Sequence, residues 1–166
     1  HFNVNADLHI KYGLGAIKGV ADSFIDHVLD VRKNYSFKDL FDLTKKVNIK
    51  LGGKKSIEAL TKAGAFDELA PSRSIALACM EDMLREGQKN SSQMAGTSDL
   101  FASMEETFDP YEKYLNVKDL SKEDLLNHER DALGYYFSGH PVIAIENMVD
   151  NLRSHKVSEV TDDVSR

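Results

Sequence analysis

The sequence predicts a mostly α-helical protein: a small helical domain built on tandem helix-hairpin-helix motifs, with a short N-terminal β-hairpin, a flexible linker and C-terminal helices. Three observations predict it. Two glycine-bearing hairpins, Lys18-Gly19-Val20-Ala21 and Leu51-Gly52-Gly53-Lys54-Lys55-Ser56, each open a stretch with apolar residues at helical spacing. They stand about thirty-five residues apart, the arrangement of a tandem pair in which two small units pack together. The composition (166 residues, no Trp, 8% aromatic, 29% charged) suits a helical domain long enough to bury a core.

The elements follow in order. Phe2 to Val4 and Leu8 to Tyr12 alternate, predicting a short hairpin with Asn5-Ala6-Asp7 at its turn. Ile17 leads into the first glycine hairpin, and a helix from Asp22 to about Arg32 carries Phe24, Ile25, Val28 and Leu29. Ser36 with Asp39 has capping-box spacing and predicts a helix with Phe37, Leu40, Phe41 and Leu43. The second hairpin opens a helix with Ile57, Ala59 and Leu60, stopped by Gly64 as a C′ residue. Residues 1–70 therefore form the tandem region.

Pro71-Ser72 starts a connecting helix over residues 71–87, with Ala76, Met80, Met83 and Leu84 on one face, fading near Gly87. Residues 88–110 read as a flexible linker, since Gln88 to Ser98 are rich in Ser, Asn, Gln, Gly and Thr. The segment 111–166 is helical again. Ser121 with Asp124 opens a helix carrying Leu125, Leu126, Ala132 and Leu133, followed by the aromatic run Gly134-Tyr-Tyr-Phe-Ser-Gly-His-Pro141. A last helix is expected through Ile143, Ile145, Met148 and Leu152.

Charge divides the chain. Residues 1–70 carry 11 Lys/Arg against 9 Asp/Glu, and the remainder 10 against 18, giving −6 in all. Any nucleic-acid contact is therefore expected in the first half. The single cysteine, Cys79, leaves no internal disulfide; its neighbours Ile75, Ala76, Met80 and Met83 make it a core thiol rather than a nucleophile. No apolar run reaches the length of a membrane span, and no signal peptide is visible. The chain begins at His1 rather than Met, as expected of an excised fragment.

The first hairpin carries the candidate chemistry. Successive backbone N–H groups at a hairpin and the following helix N-terminus point outward and attract an anion. Lys18, Gly19, Val20, Ala21, Asp22 and Ser23 form this anion site, with Gly19 allowing close approach and Lys18 adding a mobile charge. Such a device grips the sugar–phosphate backbone without choosing a sequence. Ala21 stands where a second glycine is usual, so a positive φ there would be strained. Gly52, Gly53, Lys54 and Lys55 repeat the pattern, with a solvated loop as the competing reading. Asp99-Leu100-Phe101, two bulky apolar residues on a polar tether, read as a linear motif for a partner's pocket, the competing reading being a plug folded back over the domain.

Three strings carry a family resemblance: Tyr12-Gly-Leu-Gly-Ala-Ile-Lys-Gly-Val20, Glu58-Ala-Leu-Thr-Lys-Ala-Gly-Ala-Phe-Asp67 and Leu133-Gly-Tyr-Tyr-Phe-Ser-Gly-His-Pro141. Occurring in this order, they closely resemble the alpha subunit of bacterial DNA polymerase III, over nearly the whole chain. The resemblance implies the region after palm and fingers, with tandem helix-hairpin-helix motifs, a sliding-clamp-binding peptide and an OB-fold domain beginning near residue 166. It implies a cytoplasmic, nucleoid-associated parent that is a DNA-directed DNA polymerase, a nucleotidyltransferase. The clamp peptide of that family has the pattern Gln-x-Asp/Ser-Leu/Met-Phe, which falls here on Thr97, Ser98, Asp99, Leu100 and Phe101, with Thr97 in place of Gln. The partners implied are duplex DNA, the sliding clamp (beta subunit) and the remaining polymerase domains, with no membrane.

No catalytic constellation is legible. No Asp-x-Asp pair lies on a convincing strand, and Asp162-Asp163 sits in a terminal polar run. The six histidines are scattered without a CxxC framework, so no metal site is expected, and His140 reads as part of a turn. The magnesium of the parent polymerase is expected outside this stretch. The sequence thus predicts a noncatalytic segment that holds duplex DNA and tethers a polymerase to its clamp. The alternative is a scaffold whose hairpins only pack protein elements.

Overall fold

The computed structural model describes residues 3–4, 6–93 and 109–145. Among them the chain forms two short strands, β1 (Asn3–Val4) and β2 (Ile10–Lys11), and six α-helices. These are α1 (Asp22–Asn34), α2 (Leu40–Lys46), α3 (Gly53–Lys62), α4 (Arg73–Ala78), α5 (Met80–Gln93) and α6 (Lys122–Leu133). The expected mostly helical class is the one observed. The strands pair antiparallel, Asn3 opposite Lys11 and Val4 opposite Ile10.

Three helices, α2, α4 and α6, start where the sequence supplies a side-chain cap. Asp39 accepts from the Asp42 amide (2.7 Å), Ser72 from the Ile75 amide (3.2 Å) and Ser121 from the Asp124 amide (3.0 Å). The first of these corrects the expected Ser36 capping box. Asp39 is the cap of α2, and Phe37 lies before the helix, half-buried against the core. Asp39 accepts directly at short range, and Lys46 Nζ donates to the Ser36 carbonyl instead. Gly64 and Gly134 end α3 and α6 at φ +78° and +89°, the left-handed conformation that glycine adopts without strain.

The buried core is one cluster running from Ile17 to Ala132, centred on Phe24, Leu40, Leu43, Ile57, Leu60 and Met83. The boundaries expected at 70/71 and 110/111 therefore do not separate cores. Two further expectations are corrected. The connecting helix is broken at Cys79 into α4 and α5, and α5 does not fade at Gly87. It continues to Gln93, so residues 88–93 of the expected linker are helical. Gly87 is a packing residue: a Cβ there would lie 2.2 Å from Ile49 Cδ1 and 2.6 Å from the Thr44 carbonyl. It lets α5 lie against the end of α2.

The chain beyond residue 108 is anchored on the same core. The Leu40 amide donates to Tyr111 Oη (3.0 Å), which donates to the Leu69 carbonyl (2.8 Å). Asp82 on α5 accepts from Lys113 and Tyr114, which hold its carboxyl down to about 2. Of the last expected helix, a 3-10 turn over Pro141–Ile145 is described, and Met148 and Leu152 lie outside the described residues. The same holds for Asp162-Asp163.

Candidate nucleic-acid interface

The first hairpin is built by burial of Ile17 and by Gly19 at φ +87°. The positive φ that would strain Ala21 does not occur: Ala21 precedes α1 in extended conformation at φ −80°, ψ 132°, which any residue adopts. Only one left-handed residue is needed here, and Gly19 supplies it. In the second hairpin Asn48 accepts from the Lys50 amide (3.2 Å) and steadies the 3-10 turn Ile49–Leu51. Gly53 then opens α3 at φ +63°, with nothing within 4 Å of a Cβ built on it. Gly52 is the opposite case, since its Cβ would lie 2.6 Å from Phe24 Cγ.

The structure brings the two hairpins together through Ser56, a residue that the sequence placed only as the last of the second hairpin. Ser56 is 1% exposed. Its Oγ accepts from the Ala21 amide (3.1 Å) and donates to the Gly19 carbonyl (3.4 Å). Ser23 Oγ donates to the Leu51 carbonyl (3.4 Å), and the Lys55 stem lies over Gly19, its Cε 3.4 Å from a Cβ built there. The N-termini of α1 and α3 thus share one face.

Not every expected amide is open on that face. Lys18 N–H donates to the Ala132 carbonyl (2.9 Å), Val20 N–H to Ile17 (3.4 Å) and Gly52 N–H to Ile49 (3.2 Å). With Ala21 bound to Ser56, the amides of Lys18, Val20, Ala21 and Gly52 are occupied within the protein. Those of Gly19, Asp22, Ser23, Gly53, Lys54 and Lys55 have no acceptor among the described residues. The lysines also divide. Lys54 pairs with Glu81 (2.8 Å), whose hydrogen bond raises its pKa, whereas Lys18 and Lys55 have no carboxylate partner among the described residues. Asp22, exposed in the first turn of α1, adds a negative charge to the face.

The three strings that carry the family resemblance converge at the C-terminal end of α6. From the first, Tyr12 Oη donates to the Leu133 carbonyl (3.3 Å) and Lys18 N–H to that of Ala132. From the second, Asp67 accepts from Arg73 Nε (2.9 Å) and Nη2 (2.8 Å), while Arg73 Nη1 donates to Glu129 Oε1 (3.1 Å). From the third, the Phe137 and Ser138 amides both donate to Glu129 Oε2 at 2.8 Å. Glu129, fully buried, is the hub that sequence reasoning missed. Its signal was an acid on the Leu126–Glu129–Leu133 face of an amphipathic helix.

The remaining candidates have ordinary roles. Cys79 is fully buried, and burial pushes its thiol up to about 11. His140 Nδ1 accepts from the Val142 amide (3.2 Å) within the final turn. Among the described residues no three His, Cys, Asp or Glu converge to hold a metal, and no helix is long and apolar enough to cross a membrane. Thr97, Ser98, Asp99, Leu100 and Phe101 lie outside the described residues.

Two glycine hairpins locked side by side, each opening a helix, define a tandem helix-hairpin-helix protein, and the helix-hairpin-helix motif family matches residues 1–76. The chain is 39% identical to the DNA polymerase III subunit alpha of Haemophilus influenzae, across 86% of its own length and 12% of that subunit. It is 34% identical to that of Escherichia coli, over 86% and 12%, and 33% identical to that of Pseudomonas aeruginosa, over 96% and 15%. Over most of its own length the chain resembles one stretch of DNA polymerase III alpha subunits, and it spans 12–15% of the length of these relatives.

Proposed function

We propose that this chain grips the sugar–phosphate backbone of duplex DNA through its two hairpins and tethers a replicative polymerase to the sliding clamp through residues 97–101. One observation carries the DNA half: Ser56 locks the hairpins together while, among the described residues, the Gly19, Asp22, Ser23, Gly53, Lys54 and Lys55 amides have no acceptor and Lys18 and Lys55 have no carboxylate partner. Two anion sites at a fixed spacing suit two phosphates of one duplex. The clamp half rests on the match of Asp99-Leu100-Phe101 to the family's clamp peptide.

The chain supplies position rather than chemistry. A weak phosphate grip and a weak peptide contact reinforce each other by raising each other's effective concentration. Nucleotidyl transfer, and the magnesium it takes, belong to parts of the polymerase outside these residues, and the setting is the cytoplasm, at the nucleoid. A second reading, a scaffold that never meets DNA, is favoured by the internal use of the Lys18, Val20, Ala21 and Gly52 amides. Titration with two duplexes of unrelated sequence separates the readings. The proposal expects equal affinity for both at low salt; no binding to either leaves the scaffold standing.

A further inference from the structure

Beside the first hairpin lies an aromatic recess that neither the phosphate grip nor the clamp tether uses. Tyr12, Leu14, Ile17, Leu133, Tyr135 and Phe137 line a cavity of about 200 Å³. Tyr135 and Phe137 are 42% and 67% exposed, unusually open for rings that belong to a built site. Their centroids form a row, Tyr12 to Tyr135 at 5.7 Å and Tyr135 to Phe137 at 6.5 Å. The row is held in place: Glu129 accepts from the Phe137 and Ser138 amides, and Tyr12 Oη donates to the Leu133 carbonyl.

Lys18 borders the recess. A Cβ built on Gly134, the residue before Tyr135, would lie 3.5 Å from Lys18 Nζ, and that ammonium has no carboxylate partner among the described residues. We propose that the recess stacks an unpaired base, at the point where a single strand leaves a duplex held by the hairpins, while Lys18 takes the adjoining phosphate. The inference rests on the duplex-binding reading above. Three features favour a nucleotide over an apolar peptide as the occupant. The open walls are aromatic rings, which can stack on any base. The rim carries an unpaired cation, complementary to phosphate. Lys18 also belongs to the first hairpin, so the recess continues the phosphate-binding face.

The test compares a blunt duplex with the same duplex carrying a short oligo-adenine extension, with 2-aminopurine as the first unpaired base. The 166-residue chain is expected to bind the extended duplex about fivefold or more tighter and to quench the 2-aminopurine. Phe137→Leu, which keeps the apolar bulk, and Tyr135→Ala should each reduce the preference and the quench while leaving blunt-duplex affinity unchanged. Equal affinity for both DNAs, with the probe still bright, overturns the inference. If blunt-duplex binding still falls in Lys18→Glu, the hairpin reading survives that result. Variants indistinguishable from wild type in every DNA readout would likewise overturn it, and would point to an apolar polypeptide in the recess. Absence of binding to any duplex defeats both readings.

Discussion

Gly52 and Gly53 are adjacent and chemically identical, yet they are required for different reasons. Gly52 has an ordinary αR backbone, but a Cβ on it would lie 2.6 and 2.9 Å from Phe24 Cγ and Cβ and 2.9 Å from Ser56 Cβ. Phe24 is fully buried and has no room to yield. Gly53 has open space around it and a φ of +63°. Gly52→Ala should therefore cost about 1–3 kcal/mol by overpacking, and Gly52→Asn at least as much. Gly53→Ala should cost about 1–2 kcal/mol from its left-handed backbone, and Gly53→Asn less, because asparagine tolerates that conformation. Urea unfolding of the four variants checks the contrast. Glu129 gives the matching electrostatic case. Burial pushes its carboxyl up, but the Ser138 and Phe137 amides, the Ser138 side chain and Arg73 outweigh burial and hold it below the usual glutamate value. A depressed folded pKa stabilises fully above the unfolded value, and this stabilisation is lost as pH falls through the folded one. Glu129→Gln should cost about 3 kcal/mol at neutral pH and flatten the decline of stability towards acid, read by unfolding at a series of pH values.

At the scale of elements, what was legible was local. Spacing and caps located α1, α3 and α6 within a residue or two, because Phe24-Ile25-Val28, Ile57-Leu60 and Ser121-x-x-Asp124 act within one or two turns. The misreadings arose where a distant partner decides. Gly87 reads locally as a helix end, but it is the contact that admits Ile49 and Thr44, so α5 runs past it. Ser56 and Glu129 have partners 35 and 8 or more residues away, so their roles as lock and hub are invisible to periodicity. Tyr111 is another such residue. It joins the α2 N-terminus, through the Leu40 amide, to the Leu69 carbonyl, and so fixes the chain where it returns after residues 94–108. Tyr111→Phe leaves the buried Leu40 amide without an acceptor. The expected cost is about 1–3 kcal/mol, with faster hydrogen exchange at Leu40 as the specific sign.

At the scale of the molecule, the described residues share one continuous core, and two attachments are proposed for the chain, one to DNA and one to the clamp. The buried cluster described from Ile17 to Ala132 draws on all six helices and Tyr111. On the clamp-peptide reading, changing Leu100 and Phe101 to Ala should leave the melting temperature and duplex affinity unchanged while removing detectable clamp binding, since a truncated buried anchor costs about 2 kcal/mol or more. Thr97→Gln should tighten clamp binding by about 1 kcal/mol through one added hydrogen bond. Surface plasmon resonance against purified clamp reads both changes. The DNA attachment stands or falls on its salt dependence. In a plot of log affinity against log salt concentration for a blunt duplex, each phosphate-neutralising lysine contributes a slope of about −0.9. Lys18 and Lys55, which have no carboxylate partner among the described residues, should act together. The account predicts that Lys18→Glu with Lys55→Glu weakens binding on every sequence and makes the slope shallower by about two lysine contributions. An unchanged slope and affinity in the folded double variant would contradict it.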